Sequence, residues 1–335
     1  MNRAQHALLL DILNQPTAPF REGHVLATAA RHLRRAGVPH FADPHGNLVI
    51  GTATRQEYLQ RLRERTTKPL RLLVAHADHP GFHGLRWLSQ DSLLVKWHGG
   101  SPIRHLRGAR VWLADSVGLA GQGEITRAAI LPSRHAIDTA VVRVRKLVEP
   151  SPTATDLFGG FAFRAPVWQS GQRLYTKAAD DLVGVFAVVN TAIRLQRAQR
   201  RQPAPFLGLL TRGEEVGFVG AIGHLELGWL QRARRPVVVV SLETSRTLPQ
   251  AHIGKGPVVR LGDRRTVFDP AYSQVLATVA ERALPGRHQR RKRYARNRGQ
   301  GPLRRSAAPR PGRLRAMARR GQSRRGRRCV VVADL

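Results

Sequence analysis

Several short groups of residues in this chain have the types and spacing to do chemistry. Lys177-Ala178-Ala179-Asp180-Asp181-Leu182-Val183-Gly184 sets two adjacent carboxylates between a strand-like run (173–176) and a helix-like apolar run (183–189). His76-Ala77-Asp78 follows directly on the apolar run Leu72-Leu73-Val74-Ala75. Gly213-Glu214-Glu215-Val216-Gly217 follows Phe206 to Leu210, and Glu243 follows Val237-Val238-Val239-Val240-Ser241-Leu242. Singly, each has an ordinary structural explanation. An Asp-Asp pair before a helix is an N-cap with first-turn charge, and a histidine at a strand end is often a hydrogen-bonded core residue. Together they form three strand ends bearing acids and a histidine around the Asp pair. A carboxylate beside a buried strand is costly unless it is paired or metal-bound.

The set His, Asp, Glu, Glu without cysteine suits divalent Zn, Co or Mn with mixed nitrogen and oxygen ligands. A carboxylate bridging two such ions, about 3.5–4 Å apart, is the usual core of a dinuclear hydrolase. Asp180 is the candidate bridge. Asp78, two residues beyond His76, is placed to accept the second N–H of that imidazole, which would fix its tautomer and raise its basicity. Of Glu214 and Glu215, one can ligate while the other acts as general base for the metal-bound water.

Such residues need elements that hold them at one place. The alternation helix 183–198, strand 206–210, helix 217–224, strand 237–242 predicts an α/β fold with a doubly wound sheet, whose functional groups gather at the carboxyl ends of the strands. Residues 23–36 read as an amphipathic helix, and 48–50 and 71–75 as strands. Between Leu85 and Trp168 the pattern becomes short strands (93–97, 109–113, 140–144) separated by Gly, Pro, Ser and Asp, which predicts a small all-β module inserted into the α/β domain. The expected organisation is therefore 1–84 and 169–285 as one α/β domain and 85–168 as its β insert. Residues 268–284 predict one more helix, with Tyr272, Val275, Val279 and Leu284 as core positions.

The chain has 335 residues and a hydrophobic content of 42%, enough for a sizeable core. Its net charge of +34 is uneven: residues 286–335 hold 18 Lys and Arg against Asp334 alone. That segment is rich in Arg, Gly, Pro and Ala and cannot bury enough apolar surface to offset its ordering entropy. It reads as disordered in isolation, or as the product of a shifted reading frame in GC-rich DNA. The single cysteine, Cys329, excludes an intrachain disulfide. The first apolar run, Ala7 to Leu10, is interrupted too early for a signal segment, and no stretch is long enough to span a membrane. A cytoplasmic location is expected.

The motifs, in order and approximate spacing, resemble the tetrahedral, glutamyl-type dinuclear metallo-aminopeptidases. The resemblance covers about 19–284 and includes Asp43-Pro44-His45-Gly46-Asn47-Leu48, an early turn of that family, and Gly254-Lys255-Gly256-Pro257. It implies an exopeptidase that removes N-terminal residues from peptides, a mixed α/β sheet with a β-barrel-like insert, and a homo-oligomer built from dimers. It also implies two divalent ions: His76, Asp180 and Glu243 hold one, Asp180 and Glu215 the other, and Glu214 is the general base. The family usually has Asp where Glu243 stands, Arg where Leu182 stands and Glu where His79 stands, which points to a divergent subgroup.

The family completes its second metal site with a histidine near the C-terminus. This chain has no histidine after His288, so the second site is expected to be incomplete, and the last strand and helix of the sheet to be missing. Two other roles follow from these features: a catalytically impaired scaffold, and non-specific nucleic-acid binding through the basic tail.

Overall fold

A computed structural model describes residues 1–147, 152–163, 167–198, 204–244, 247, 251–262, 267–291 and 328–334. The chain opens with helices α1 (Arg3–Leu13) and α2 (Gly23–Arg35), then strands β1 (His40–Ala42) and β2 (Leu48–Ile50), helix α3 (Arg55–Arg63) and strand β3 (Leu70–His76). Strands β4 (Gly81–Trp87), β5 (Ser92–His98), β6 (Arg110–Ala114), β7 (Leu119–Ile130), β8 (Ile137–Leu147) and β9 (Phe158–Phe161) follow without an α-helix. A hairpin of β10 (Trp168–Ser170) and β11 (Arg173–Tyr175) leads into α4 (Ala179–Arg197), β12 (Phe206–Thr211), α5 (Val219–Glu226) and β13 (Val237–Glu243). The remaining elements are β14 (Val258–Arg260), α6 (Pro270–Ala283), β15 (Gln289–Arg291) and β16 (Arg328–Asp334).

The mixed α/β sheet expected from the sequence is present, with eight strands in the order β1-β2-β12-β3-β13-β16-β14-β15. Its centre, β12-β3-β13-β16, is parallel. Every residue of β12 is buried, as expected for a central parallel strand covered on both faces. On one face α1, α2 and α4 contribute Leu9, Leu13, Val25, Leu33, Leu182, Val185 and Val189 to a core shared with Ala75, Leu210 and Val240. On the other, α3 supplies Tyr58 and Leu62 against Leu70, Leu72, Leu209 and Trp229. The apolar positions of α4 recur at three- and four-residue steps, so one stripe faces the sheet. Each fully buried Leu or Val of such a stripe contributes about 1.5–3 kcal/mol.

The inserted module closes as a barrel, β4-β5-β8-β7-β6-β9, around Phe82, Leu93, Val95, Val111, Leu113 and Val142. It runs from Gly81 to Phe161, against the expected 85–168. The earlier start is β4, whose Gly-Phe-His-Gly-Leu-Arg-Trp lacks an aliphatic run. At the other end Val167 and Leu174 pack on the core of the α/β domain rather than on the barrel.

Two further expectations are corrected. Helix α6 buries Ser273 and Ala277 and leaves Val275 and Val279 exposed. Its inner face follows 273 and 277, with Tyr272 and Leu276 beside it against the core. The expected tail without regular structure, and without a last strand, also differs. Residues 292–327 lie outside the described residues, but β16 pairs parallel with β13 from Val237↔Arg328 to Glu243↔Asp334 and antiparallel with β14. Val330-Val331-Val332 is the one aliphatic run of that segment, and it falls in register beside Val239, Val240 and Ser241 of β13. No helix among the described residues is long and apolar enough to cross a membrane.

Candidate metal centre

His76 is the last residue of β3, and in register beside it stands Thr211, the last of β12. Glu243 ends β13, the neighbour of β3 on its other side. The parallel centre therefore delivers its acids and histidine to one edge of the sheet. Asp180 joins them from the first turn of α4, where Asp180 and Asp181 have non-helical backbone angles (ψ 106° and 37°) and a cis peptide joins them. His76 Nε2 lies 3.3 Å from Asp180 Oδ1, 3.8 Å from Glu214 Oε2 and 3.8 Å from Glu243 Oε1. His76, Asp180 and Glu243 offer ligand atoms all within 4.8 Å of one another. Glu215, the expected ligand of a second ion, is not in that group.

A shell of hydrogen bonds aims these groups. Asp78, fully buried, accepts from the backbone amides of Glu214 (2.9 Å) and Glu215 (3.0 Å), so one carboxylate orients both glutamates. The His76 ring nitrogen Nδ1 faces the Asp78 carbonyl at 3.1 Å, and the Asp78 carboxylate at 3.5 Å. The histidine is thus fixed chiefly by the backbone of Asp78. Gly213, at φ +59°, makes the turn into the glutamate pair. Buried Glu22 holds that turn by accepting from the Gly213 amide (2.9 Å) and from Arg212 Nε (2.8 Å). Asp181 accepts from the amides of His76 (3.3 Å) and Gly184 (3.2 Å). His79 sets its Nδ1 2.7 Å from the Asp180 carbonyl.

The electrostatics are those of a site short of positive charge. Burial pushes Glu215 up to about 8, helped by Glu214 and Asp180. Burial also raises Glu243 to about 7; its hydrogen bond with His76 opposes this and Asp180 adds to it. Glu214 is raised as well, by burial and then by Asp78 and Asp180 against the pull of His76. For His76 burial disfavours the charged ring, but Asp180, Asp78 and Glu243 outweigh it and hold the ring well above its ordinary range. Asp180 Oδ1 is buried with no hydrogen-bond partner among the described residues; its approach to His76 is electrostatic and lacks hydrogen-bond geometry. An orphaned carboxylate oxygen among crowded acids and an imidazole is what a divalent cation would satisfy. The donor set fits a metal.

Sequence reasoning passed over Glu22, which stands 190 residues from the Arg212 it pairs with, and gave no role to Asp181 or His79. The apolar runs ahead of His76 and Glu243 signalled those two positions; nothing local signalled Glu22. Leu182 is fully buried within the core, so its apolar type suits its surroundings where an arginine would need a partner. His288 sits beside Glu281 of α6 (3.2 Å) and joins no ligand group.

Residues 158–284 match the family model described as M42 glutamyl aminopeptidase. Among curated proteins no sequence matches the chain significantly. The fold is similar to that of the TET1 peptidase of Pyrococcus horikoshii, which can assemble into a tetrahedron or a large octahedral shell. That match has a TM-score of 0.66 at 17% identity, over 99% of this chain and 90% of the other. A TET aminopeptidase from a marine-sediment thaumarchaeon matches at TM-score 0.69 and 17% identity, over 100% and 89%. An aminopeptidase from Desulfurococcus kamchatkensis matches at 0.62 and 18%, over 84% and 77%.

Proposed function

We infer that this chain, a hydrolase of the M42 aminopeptidase type, removes N-terminal residues from peptides with the help of divalent metal. The observation that carries the reading is the cluster of His76, Asp180 and Glu243, with the orphaned Asp180 Oδ1 inside it and Glu214 at its margin. His76, Asp180 and Glu243 would hold one ion. Asp180 would be shared with a second, for which Glu215 is the other ligand. When bound, such ions polarise a carbonyl and lower the pKa of water. The protein's own part is proton transfer and orientation. The Glu214 carboxylate takes a proton from the attacking water and returns it to the leaving amine nitrogen. Asp78 keeps Glu214 and Glu215 in register through their two amides, so that proton acceptor and ligand stay on separate tasks. Because no described histidine adds to Asp180 and Glu215, a second ion would be held more weakly than the first. The assembly of the TET1 relative supports a homo-oligomer.

The direct test is hydrolysis of a dipeptide with a free N-terminus and of its N-acetylated form, in zinc or cobalt. The reading expects cleavage of the first only, loss with a chelator, and recovery on adding metal. Equal cleavage of the acetylated form would contradict the aminopeptidase assignment.

A further inference from the structure

A cavity of about 280 Å3 lies between the barrel and the α/β domain, next to the carboxylate cluster. The barrel side presents Trp97, Trp112, Phe161 and Phe163, and the α/β side presents His79 and Lys177. The barrel's rings are packed on one another. Trp97 and Phe161 have centroids 4.6 Å apart, and Phe161 stacks on Phe163 at 4.6 Å with 6° between planes. The α/β side is continuous with the site: His79 reaches the Asp180 carbonyl, and Ala178 of the lining is two residues from Asp180. On the barrel side Gly99, beside Gly100 of the lining, packs so close that a Cβ there would stand 3.2 Å from Glu215 Cβ.

The stacked rings and a fixed cation set this space apart from an accidental gap. Lys177 donates to the carbonyls of Leu13 (2.9 Å) and Gln15 (2.8 Å), which fixes its ammonium at the wall. None of the lining residues is acidic. A cationic side chain would meet the Lys177 charge with no acid in the lining to offset it, and a small one would leave the rings uncovered. A planar aromatic group covers the rings. The volume lies at the small end for ligand pockets and suits one side chain rather than an extended peptide.

We propose that this cavity receives the aromatic side chain of a substrate residue flanking the scissile bond. The proposal rests on the aminopeptidase reading above, and its test separates the two. Gly100 lines the cavity, and a Cβ there would meet no atom within 4 Å, so Gly100→Leu adds bulk without displacing the protein. With metal present, Phe-Ala or Ala-Phe is expected to exceed Ala-Ala by about tenfold or more in kcat/KM. Gly100→Leu should bring that ratio to within about twofold. Whichever dipeptide carries the advantage tells on which side of the bond the pocket lies. Independently of turnover, the neutral 2-phenylethanol should change the tryptophan fluorescence of the metal-free protein, and Gly100→Leu should weaken that binding about tenfold. Equal rates for the three dipeptides, or an aromatic preference that survives Gly100→Leu, overturn the pocket and leave the aminopeptidase standing. If no dipeptide is cleaved, the aminopeptidase reading fails and the fluorescence titration decides. Binding lost in Gly100→Leu upholds the aromatic site, and no binding overturns it.

Discussion

Two buried histidines of this protein stand in clusters of similar composition and opposite character. His224, in α5, places Nδ1 2.8 Å from Asp43 Oδ2 and Nε2 3.0 Å from the Tyr58 hydroxyl. Asp43 also accepts from the amides of His45 (2.8 Å) and Asn47 (3.0 Å) and from Asn47 Nδ2 (2.8 Å). Burial works against the Asp43 charge, yet His224 and Asn47 outweigh it and hold the carboxyl below its ordinary value. Around His76 the acids outnumber the donors: Glu243 and Glu215 are driven up to about 7 and 8, and Asp180 Oδ1 has no partner. A closed polar network fixes a fold, here the turn that leads from β1 to β2. An open one of the same residue types costs stability unless something outside the chain completes it. The motif Asp43-Pro44-His45-Gly46-Asn47 belongs to the first kind and His76-Ala77-Asp78 to the second, a distinction that residue type alone does not make.

The largest effect that would sharpen this contrast concerns Glu214. Glu214→Gln should lower kcat by about 10²–10⁴-fold while the unfolding midpoint stays near that of the wild type. A variant as active as the parent would remove Glu214 from proton transfer. Next comes Asp43→Ala, which leaves His224 buried without its carboxylate and should cost about 3–5 kcal/mol in urea unfolding. The activity of the folded fraction should be retained. Its counterpart, Glu215→Gln in chelated protein, should stabilise by on the order of 1 kcal/mol, because it removes a charge that the fold disfavours. If both changes destabilise alike, the two clusters do not differ as argued.

Acidity separates the clusters in the same direction. In metal-free protein Glu215 binds its proton more tightly folded than unfolded, since its ordinary value is 4.5 and the fold raises it to about 8. Stability should therefore fall as pH rises through that window. Asp43, lowered from its ordinary 3.8, contributes stability above that value which is lost as pH falls through its folded pKa. Thermal melts of chelated protein should thus be highest between the two regions, and Glu215→Gln should flatten the upper limb. The smallest expected effect is that of Tyr58→Phe, which deletes one buried hydrogen bond to His224 at about 0.5–1.5 kcal/mol. Urea unfolding reads it, and a loss as large as that of Asp43→Ala would mean the network is not organised around the carboxylate.

Much of this architecture was legible because its central strands are aliphatic runs. Leu72 to Ala75, Phe206 to Leu210 and Val237 to Leu242 announce β3, β12 and β13, and His76 and Glu243, directly after the first and last runs, mark the candidate site. Burial on both faces imposes that pattern. Elements with mixed sequences were not legible in this way: β4 alternates too weakly to extend the barrel back to Gly81, and α6 carries valines on the face it leaves exposed. The hydrogen bonds that aim the site were also hidden. Asp78 captures amides of residues 136 and 137 positions away, and Glu22 reaches Gly213 across 191. Side chains that orient backbone at such distances leave no periodic trace.

The central claim is that the unsatisfied cluster is completed by metal, and metal retained per chain after dialysis tests it most directly. Wild-type protein loaded with zinc should keep about one ion per chain, with a second appearing only at higher zinc, as befits three good ligands for the first and fewer for the second. Asp180→Asn, which loses the carboxylate common to both, should keep neither. Wild-type protein that retains no zinc, or an Asp180→Asn variant that retains as much as the wild type, would contradict the account.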